Sequence, residues 1–204
     1  MRGHERPASA GERGQAHVLE GIAAAMLILT SVIFALQVTA VTPLTASTAN
    51  QHLQTQSAGT AVGLLAAADE RGTLGDTVRY WNESAVRFHD SGESATYTTA
   101  IPTEFGSTLE AAFRKRGIVY NVNLLYLTEG HTQRERTLLY QGDPSDHAAI
   151  ATETVVLFDD DRLLYANGTV SNRTLTEVDS YFARDSSGGQ LYNVIRVEVV
   201  VWRM

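Results

Sequence analysis

From Gly21 to Leu36 the chain carries no charged side chain, and its polar residues there, Thr30 and Ser31, have hydroxyls that can bond back to their own helix. Carried through to Leu44, the segment makes about 36 Å of helix at roughly 1.5 Å per residue, enough to cross a bilayer core of about 30 Å. A buried helix of a soluble domain keeps a polar stripe, and this run has none. The feature predicts a transmembrane helix over residues 18–44, held at the mouth by the carboxylate of Glu20.

Orientation follows from the basic residues near the segment. Arg2, Arg6 and Arg13 precede it, and no Lys or Arg follows until Arg71. By the positive-inside rule residues 1–17 form a cytoplasmic basic leader and residues 45–204 lie outside, giving a single-pass protein of the cell membrane whose first partner is the lipid bilayer. Val38-Thr39-Ala40 offers the small-residue pattern of a cleavable secretory signal. The length of the apolar run and the helical pattern beyond Ala40 argue against it.

The residues after the membrane helix suffice for one domain with a sizeable core. Cysteine is absent, so no disulfide and no thiolate metal site is available. The net charge of −7 argues against a nucleic-acid partner, because phosphate binding needs a clustered basic surface. Of 16 basic residues only Lys115 is lysine, a composition that resembles proteins of extremely halophilic archaea. Three Asn-x-Ser/Thr sequons, at Asn82, Asn167 and Asn172, are candidate N-glycosylation sites, chemically meaningful once that part is translocated.

Pro43 removes a backbone donor and is expected to kink or end the helix. Beyond it Ala46, Ala49, Leu53, Ser57, Ala61, Leu64 and Ala68 recur at helical steps, predicting a helix extension over 45–72 whose small-residue face admits close approach of a helix or sheet. Gly72 and Gly75 stop it. In the exterior α+β domain, 73–204, Asp76 is read as the N-cap of a short helix carrying Val78, Trp81, Ala85 and Phe88 on one side. Ser107-Thr108-Leu109-Glu110 is read as a capping box opening another, closed by Arg114-Lys115-Arg116 and Gly117.

From Ile118 the period becomes strand-like. Strands are expected over 118–127, 136–140 and 152–158, with a hairpin of 163–165 and 169–171 about Asn167-Gly168. The closing strand, 191–202, alternates Ile195, Val197, Val199 and Val201 against Arg196 and Glu198, predicting one buried and one wet face. The fold class is α+β, a long N-terminal helix with two short helices and an antiparallel sheet of five or six strands.

Catalytic patterns are missing from the sequence. The six histidines have no metal-ligand spacing, and Asp159-Asp160-Asp161 lacks the alternating ligands of a calcium loop. There is no Gly-x-Ser-x-Gly elbow and no phosphate loop. The expectation is no enzyme, no cofactor and no metal.

Glu20 remains, a carboxylate at the entrance to an uncharged helix, where such residues are usually paired or functional; the other reading is a carboxylate at headgroup level that serves as a favourable first-turn charge on the helix dipole. With Arg13, Gly14, Gln15 and Ala16 before it, the segment resembles a class III signal peptide, the archaeal counterpart of the prepilin signal. That resemblance implies cleavage beside Gln15 by a membrane-embedded prepilin-type peptidase, retention of the helix, and packing of retained helices in a filament core. There Glu20 would offset the new α-amino group of a neighbouring pilin-like subunit. The usual pattern puts the glutamate fifth after the cut, which only a cut after Gln15 satisfies, and His17 replaces the usual serine. Over nearly its full length the chain also looks like a group of uncharacterised haloarchaeal membrane proteins. Together these imply a pilin-like structural or assembly subunit of the archaeal cell surface; the alternative is an anchored exterior domain that binds an envelope partner without polymerising.

Overall fold

The structure, a computed structural model, describes residues 10–203, with side chains described over 17–37 and 54–203. It divides into two compact units, Met1–Gln51 and His52–Met204. Helix α1 spans Ala10–Glu70, and Pro43 does not end it.

In the first unit, the segment His17–Gln37 is long and apolar enough to cross a membrane. Each of its side chains is exposed, including Leu27, Ile28 and Phe34. Thr30 and Ser31 donate their hydroxyls to the carbonyls of Met26 and Leu27 at 2.8 and 2.5 Å, so this run hides its polar groups within its own backbone ladder.

In the second unit, the end of α1 contributes Ala61, Leu65 and Ala68 to the core. Of the small-residue face expected beyond Pro43, Ala61 and Ala68 are buried in this unit's interior and Ser57 and Leu64 are half-buried, while Leu65, which that face does not include, is the largest buried side chain of this stretch. Ala46, Ala49 and Leu53 lie outside the residues whose side chains are described. Gly72, at φ 75°, breaks the helix in the left-handed region and directly precedes α2, Thr73–Arg79.

Here the structure corrects the sequence reading. The helix expected from Asp76 through Phe88 ends at Arg79, and Trp81 and Phe88 instead face each other across a hairpin of β1 (Trp81–Asn82) and β2 (Arg87–Phe88). Their rings meet edge to face at 5.1 Å. Helix α3, Glu104–Phe113, is capped four residues before the expected capping box: Thr103 is its N-cap, accepting from the Gly106 N–H at 3.3 Å. The exit matches expectation, with Arg114–Arg116 in a 3-10 turn and Gly117 left-handed at φ 68°.

Six strands follow: β3 (Ile118–Leu127), β4 (Gln133–Leu139), β5 (Ala149–Phe158), β6 (Arg162–Leu164), β7 (Val170–Thr174) and β8 (Leu191–Arg203). They do not form the single sheet of five or six strands expected. Four make an antiparallel sheet in the order β4-β3-β8-β5, while β6 and β7 form a separate hairpin turning on Gly168, as the Asn-Gly signal predicts. The longest strand, β8, lies between β3 and β5.

One face of the sheet carries Tyr120, Val122, Leu124, Ile195, Val197 and Val199, all buried in a core shared with Leu65, Leu74, Phe105 and Phe113. The other face is wet only in part. Arg196 is exposed, but Val200 and Trp202 are each only 6 % exposed. The segment after β4 closes over that end: Asn121 donates its amide to the Gly142 carbonyl at 2.9 Å and accepts from the Gln141 N–H at 2.8 Å.

Both sheet edges are blunted. Beside β4, Tyr97 exchanges backbone hydrogen bonds with Leu138 and Tyr140. On β5, Glu153 turns its carboxylate onto the neighbouring Thr154 N–H at 3.0 Å, and Asp161 accepts from the Phe158 N–H at 2.8 Å. Occupied donors make a poor template for another strand.

Candidate functional site

The residues singled out in the sequence fall in two places. Glu20 sits in the first turns of the apolar run, 83 % exposed, with its carboxylate 3.7 Å from His17 Nδ1 one helical turn earlier. Gly14, Gln15 and Ala16 belong to the start of α1, where side chains lie outside the described residues, and Arg2 and Arg6 lie outside the described residues altogether.

The sequons lie on the two small hairpins. Asn82 is half-buried at the end of β1, its side-chain carbonyl accepting from the Ser84 and Ala85 N–H groups at 3.0 Å each. Asn167 is exposed in the β6–β7 turn, and Asn172 is exposed on β7. The hairpins are tied together: Tyr80 donates to the Ala166 carbonyl at 2.7 Å, and His89 Nε2 lies 3.0 Å from the Leu164 carbonyl.

Beside this junction is a cavity of about 560 Å³, open to solvent, between α2, the start of α3 and the β6–β7 turn. Asp76, Tyr80, Thr103, Glu104 and Asn167 contribute to its wall. Its polar groups serve the fold. Asp76 pairs with Arg79 at 2.8 Å, and Thr103 bridges to the Thr77 hydroxyl at 2.8 Å while capping α3. Among the described residues no group of three or more His, Asp or Glu is placed to hold a metal ion. The Asp159–Asp161 run forms a turn in which Asp161 closes on the Phe158 N–H.

Two features escaped the sequence because their partners are far apart in the chain. Arg136 of β4 reaches into an aromatic cluster, its Cζ 5.2 Å from the Trp81 ring centroid and 6.0 Å from that of Phe182. Around the hairpin junction, Tyr80 bonds Asp90 at 3.1 Å and Tyr97 donates to the His89 carbonyl.

These tyrosines give the domain an alkaline limit. Burial, helped by Asp90, pushes the Tyr80 hydroxyl up to about 12. Burial does the same to Tyr120 and Tyr192, each to about 12, and raises Tyr97 and Tyr181 further. Each folded-state value lies above the unfolded one near 10, so the folded chain binds more protons above that pH. Stability is then constant with respect to these groups below about pH 10 and falls as pH rises toward 12. Urea midpoints followed by tryptophan fluorescence between pH 8 and 12 check this; a midpoint that stays level to pH 12 would contradict it.

A family model matches residues 13–201, from Arg13 ahead of the apolar helix to Val201 in β8. The chain belongs to DUF7288, a family of unknown function. Comparison with curated proteins and with solved structures returns no match. The DUF7288 match takes in both units, so the apolar segment is part of what defines the family along with the sheet domain.

Proposed function

We propose that this DUF7288 chain is a membrane-anchored, pilin-like structural or assembly subunit of the archaeal cell surface, with residues 1–17 cytoplasmic and the sheet domain outside. The observation that carries the reading is the pairing of an exposed, uncharged helix with Glu20 at its mouth, directly after Arg13-Gly14-Gln15. An apolar surface exposed on all sides needs lipid or neighbouring helices around it. A carboxylate at its entrance suits a cationic partner such as the α-amino group that prepilin-type cleavage beside Gln15 creates.

Mass spectrometry of the mature N-terminus tests the processing step. A chain starting at Gln15 or Ala16 is expected; an intact Met1, or a start near Val41, removes the prepilin-type reading. Glu20→Gln separates assembly from plain anchoring. Loss of a charge pair in a low-dielectric helix bundle is expected to cut incorporation into sheared surface material at least tenfold, at unchanged membrane level. Equal incorporation favours the anchored, non-polymerising domain. Ala61, Leu65 and Ala68 are taken up by the domain's own core, so they are not free for intersubunit helix packing.

A further inference from the structure

We propose that Asn167 is an N-glycosylation acceptor of this domain, taking sugar from a lipid-linked glycosyl phosphate, and that Asn82 and Asn172 are passed over. The proposal rests on the exterior placement of the sheet domain.

The three sequons share a pattern and differ in geometry. At Asn167 the side-chain carbonyl accepts from the Thr169 hydroxyl at 2.7 Å and from the Thr169 N–H at 3.0 Å. The third residue of the sequon thus already grips the first, a conformation set by the left-handed Gly168 between them at φ 80°. A donor on the amide oxygen stabilises the charge that develops there as Nδ2 loses a proton. Nδ2 can then bond to the anomeric carbon as the carbon–oxygen bond to phosphate breaks. The lipid phosphate leaves with that electron pair, and the amide proton passes to a base of the transferase.

The other two lack this arrangement. The Asn82 carbonyl accepts from the N–H groups of Ser84 and Ala85 and not from the Ser84 hydroxyl, and the residue is half-buried. Beyond Asn172, the Thr174 hydroxyl is engaged by Thr176 at 3.1 Å and by the capping box of the following 3-10 turn. Space also favours Asn167, since residues 165–170 are all exposed. Tyr165 and Val170, 48 % and 57 % exposed, supply apolar surface that a sugar ring can cover.

The test is glycopeptide mass spectrometry on full-length protein purified from membranes of its own organism. The tryptic peptide 163–173 holds both Asn167 and Asn172, so electron-transfer fragmentation must place the modification. A glycan on Asn167 is expected, lost in Asn167→Gln and Thr169→Ala, kept in Thr169→Ser and Asn172→Gln. An unmodified Asn167, or a glycan on Asn82 or Asn172 alone, overturns the proposal. Protease added to intact cells separates the causes: a cleaved domain with bare Asn167 refutes the site, and a protected domain refutes the topology beneath it.

Discussion

Gly106→Ala is expected to destabilise the sheet domain by about 3 kcal/mol, against the ordinary preference for alanine in a helix. Gly106 is the third residue of α3 and is buried under the chain that leads into it. A Cβ there would lie 2.7 Å from Ile101 Cβ and 2.8 Å from the Ile101 carbonyl carbon, and it would also strike the carbonyl oxygen. These are mostly backbone atoms of a short lead-in fixed at both ends. The Thr103 N–H donates to the Ile101 carbonyl at 2.9 Å, and Thr103 caps α3 through the same Gly106. Relief therefore means moving the cap, which would also disturb the Thr77–Thr103 hydroxyl contact to α2. Gly63→Ala is the control: it lies on an exposed stretch of α1 with nothing within 4 Å of its would-be Cβ, and should gain up to about 1 kcal/mol from helix propensity alone. Urea unfolding of both full-length variants in detergent, read by tryptophan fluorescence, checks the pair. A Gly106→Ala midpoint at or above the parent value would refute the steric argument.

The second large effect is expected at Asn193, a fully buried polar residue of β8. Its amide donates to the carbonyls of Leu127 at 2.8 Å and Arg184 at 2.6 Å, and its oxygen accepts from the N–H groups of Leu127 at 3.2 Å and Val194 at 2.8 Å. The backbone pairing of β3 with β8 ends at Leu125–Arg196, so this one side chain completes the ladder at Leu127 and ties down the loop before β8. Asn193→Leu removes both functions and strips this partner from part-buried backbone groups of Leu127, Arg184 and Val194, at roughly 1 kcal/mol for each of four bonds, for a total of about 4 kcal/mol. Asn193→Asp sharpens the test. Ionised, the introduced carboxyl faces two carbonyl oxygens and loses both donors; protonated, it regains one. Its folded-state pKa must therefore rise above the usual carboxylate range, and the deficit of this variant should shrink as pH falls and grow as pH rises through that value. A deficit independent of pH between 4 and 8 would show that the hydrogen bonds to Leu127 and Arg184 matter little.

How much of this was legible in the sequence depended on how local the cause was. Strand β3 matches its expected limits at both ends, because a run of β-formers bounded by Gly117 and by the Glu129–His131 turn needs nothing distant to define it. The β6–β7 turn was readable too, since Asn167-Gly168 sets it alone, although its strands run over Arg162–Leu164 and Val170–Thr174 rather than 163–165 and 169–171. The segment around Trp81 was misread for a definite reason. Seven residues separate Trp81 from Phe88, which is two helical turns and equally the distance between partners across this hairpin. Periodicity cannot separate the two; what decides is Asn82, whose side chain captures two N–H groups and folds the chain back. Thr103 was overlooked as a cap because Ser107 and Glu110 imitate a capping box one turn later. The strand count failed because β6 and β7 are short and pair as strands with each other rather than with the four-stranded sheet, a matter of tertiary placement. Among the site residues, the sequons were legible as patterns, but only Asn167 turned out to have its hydroxyl partner in place.

The position of β8 also sets an order of events. This strand is made after β3 and β5, yet it lies between them and supplies the ladder that joins them. Until residues 191–203 have been synthesised and delivered, β3 and β5 each present an open side to whatever surrounds them, and the helices have only part of a sheet to pack against. A chain that crosses a membrane from its N-terminal end would therefore emerge with its sheet unjoined and close it in one late, long-range step. Any chaperone or crowded neighbour present during synthesis meets that half-built sheet before it meets the finished domain.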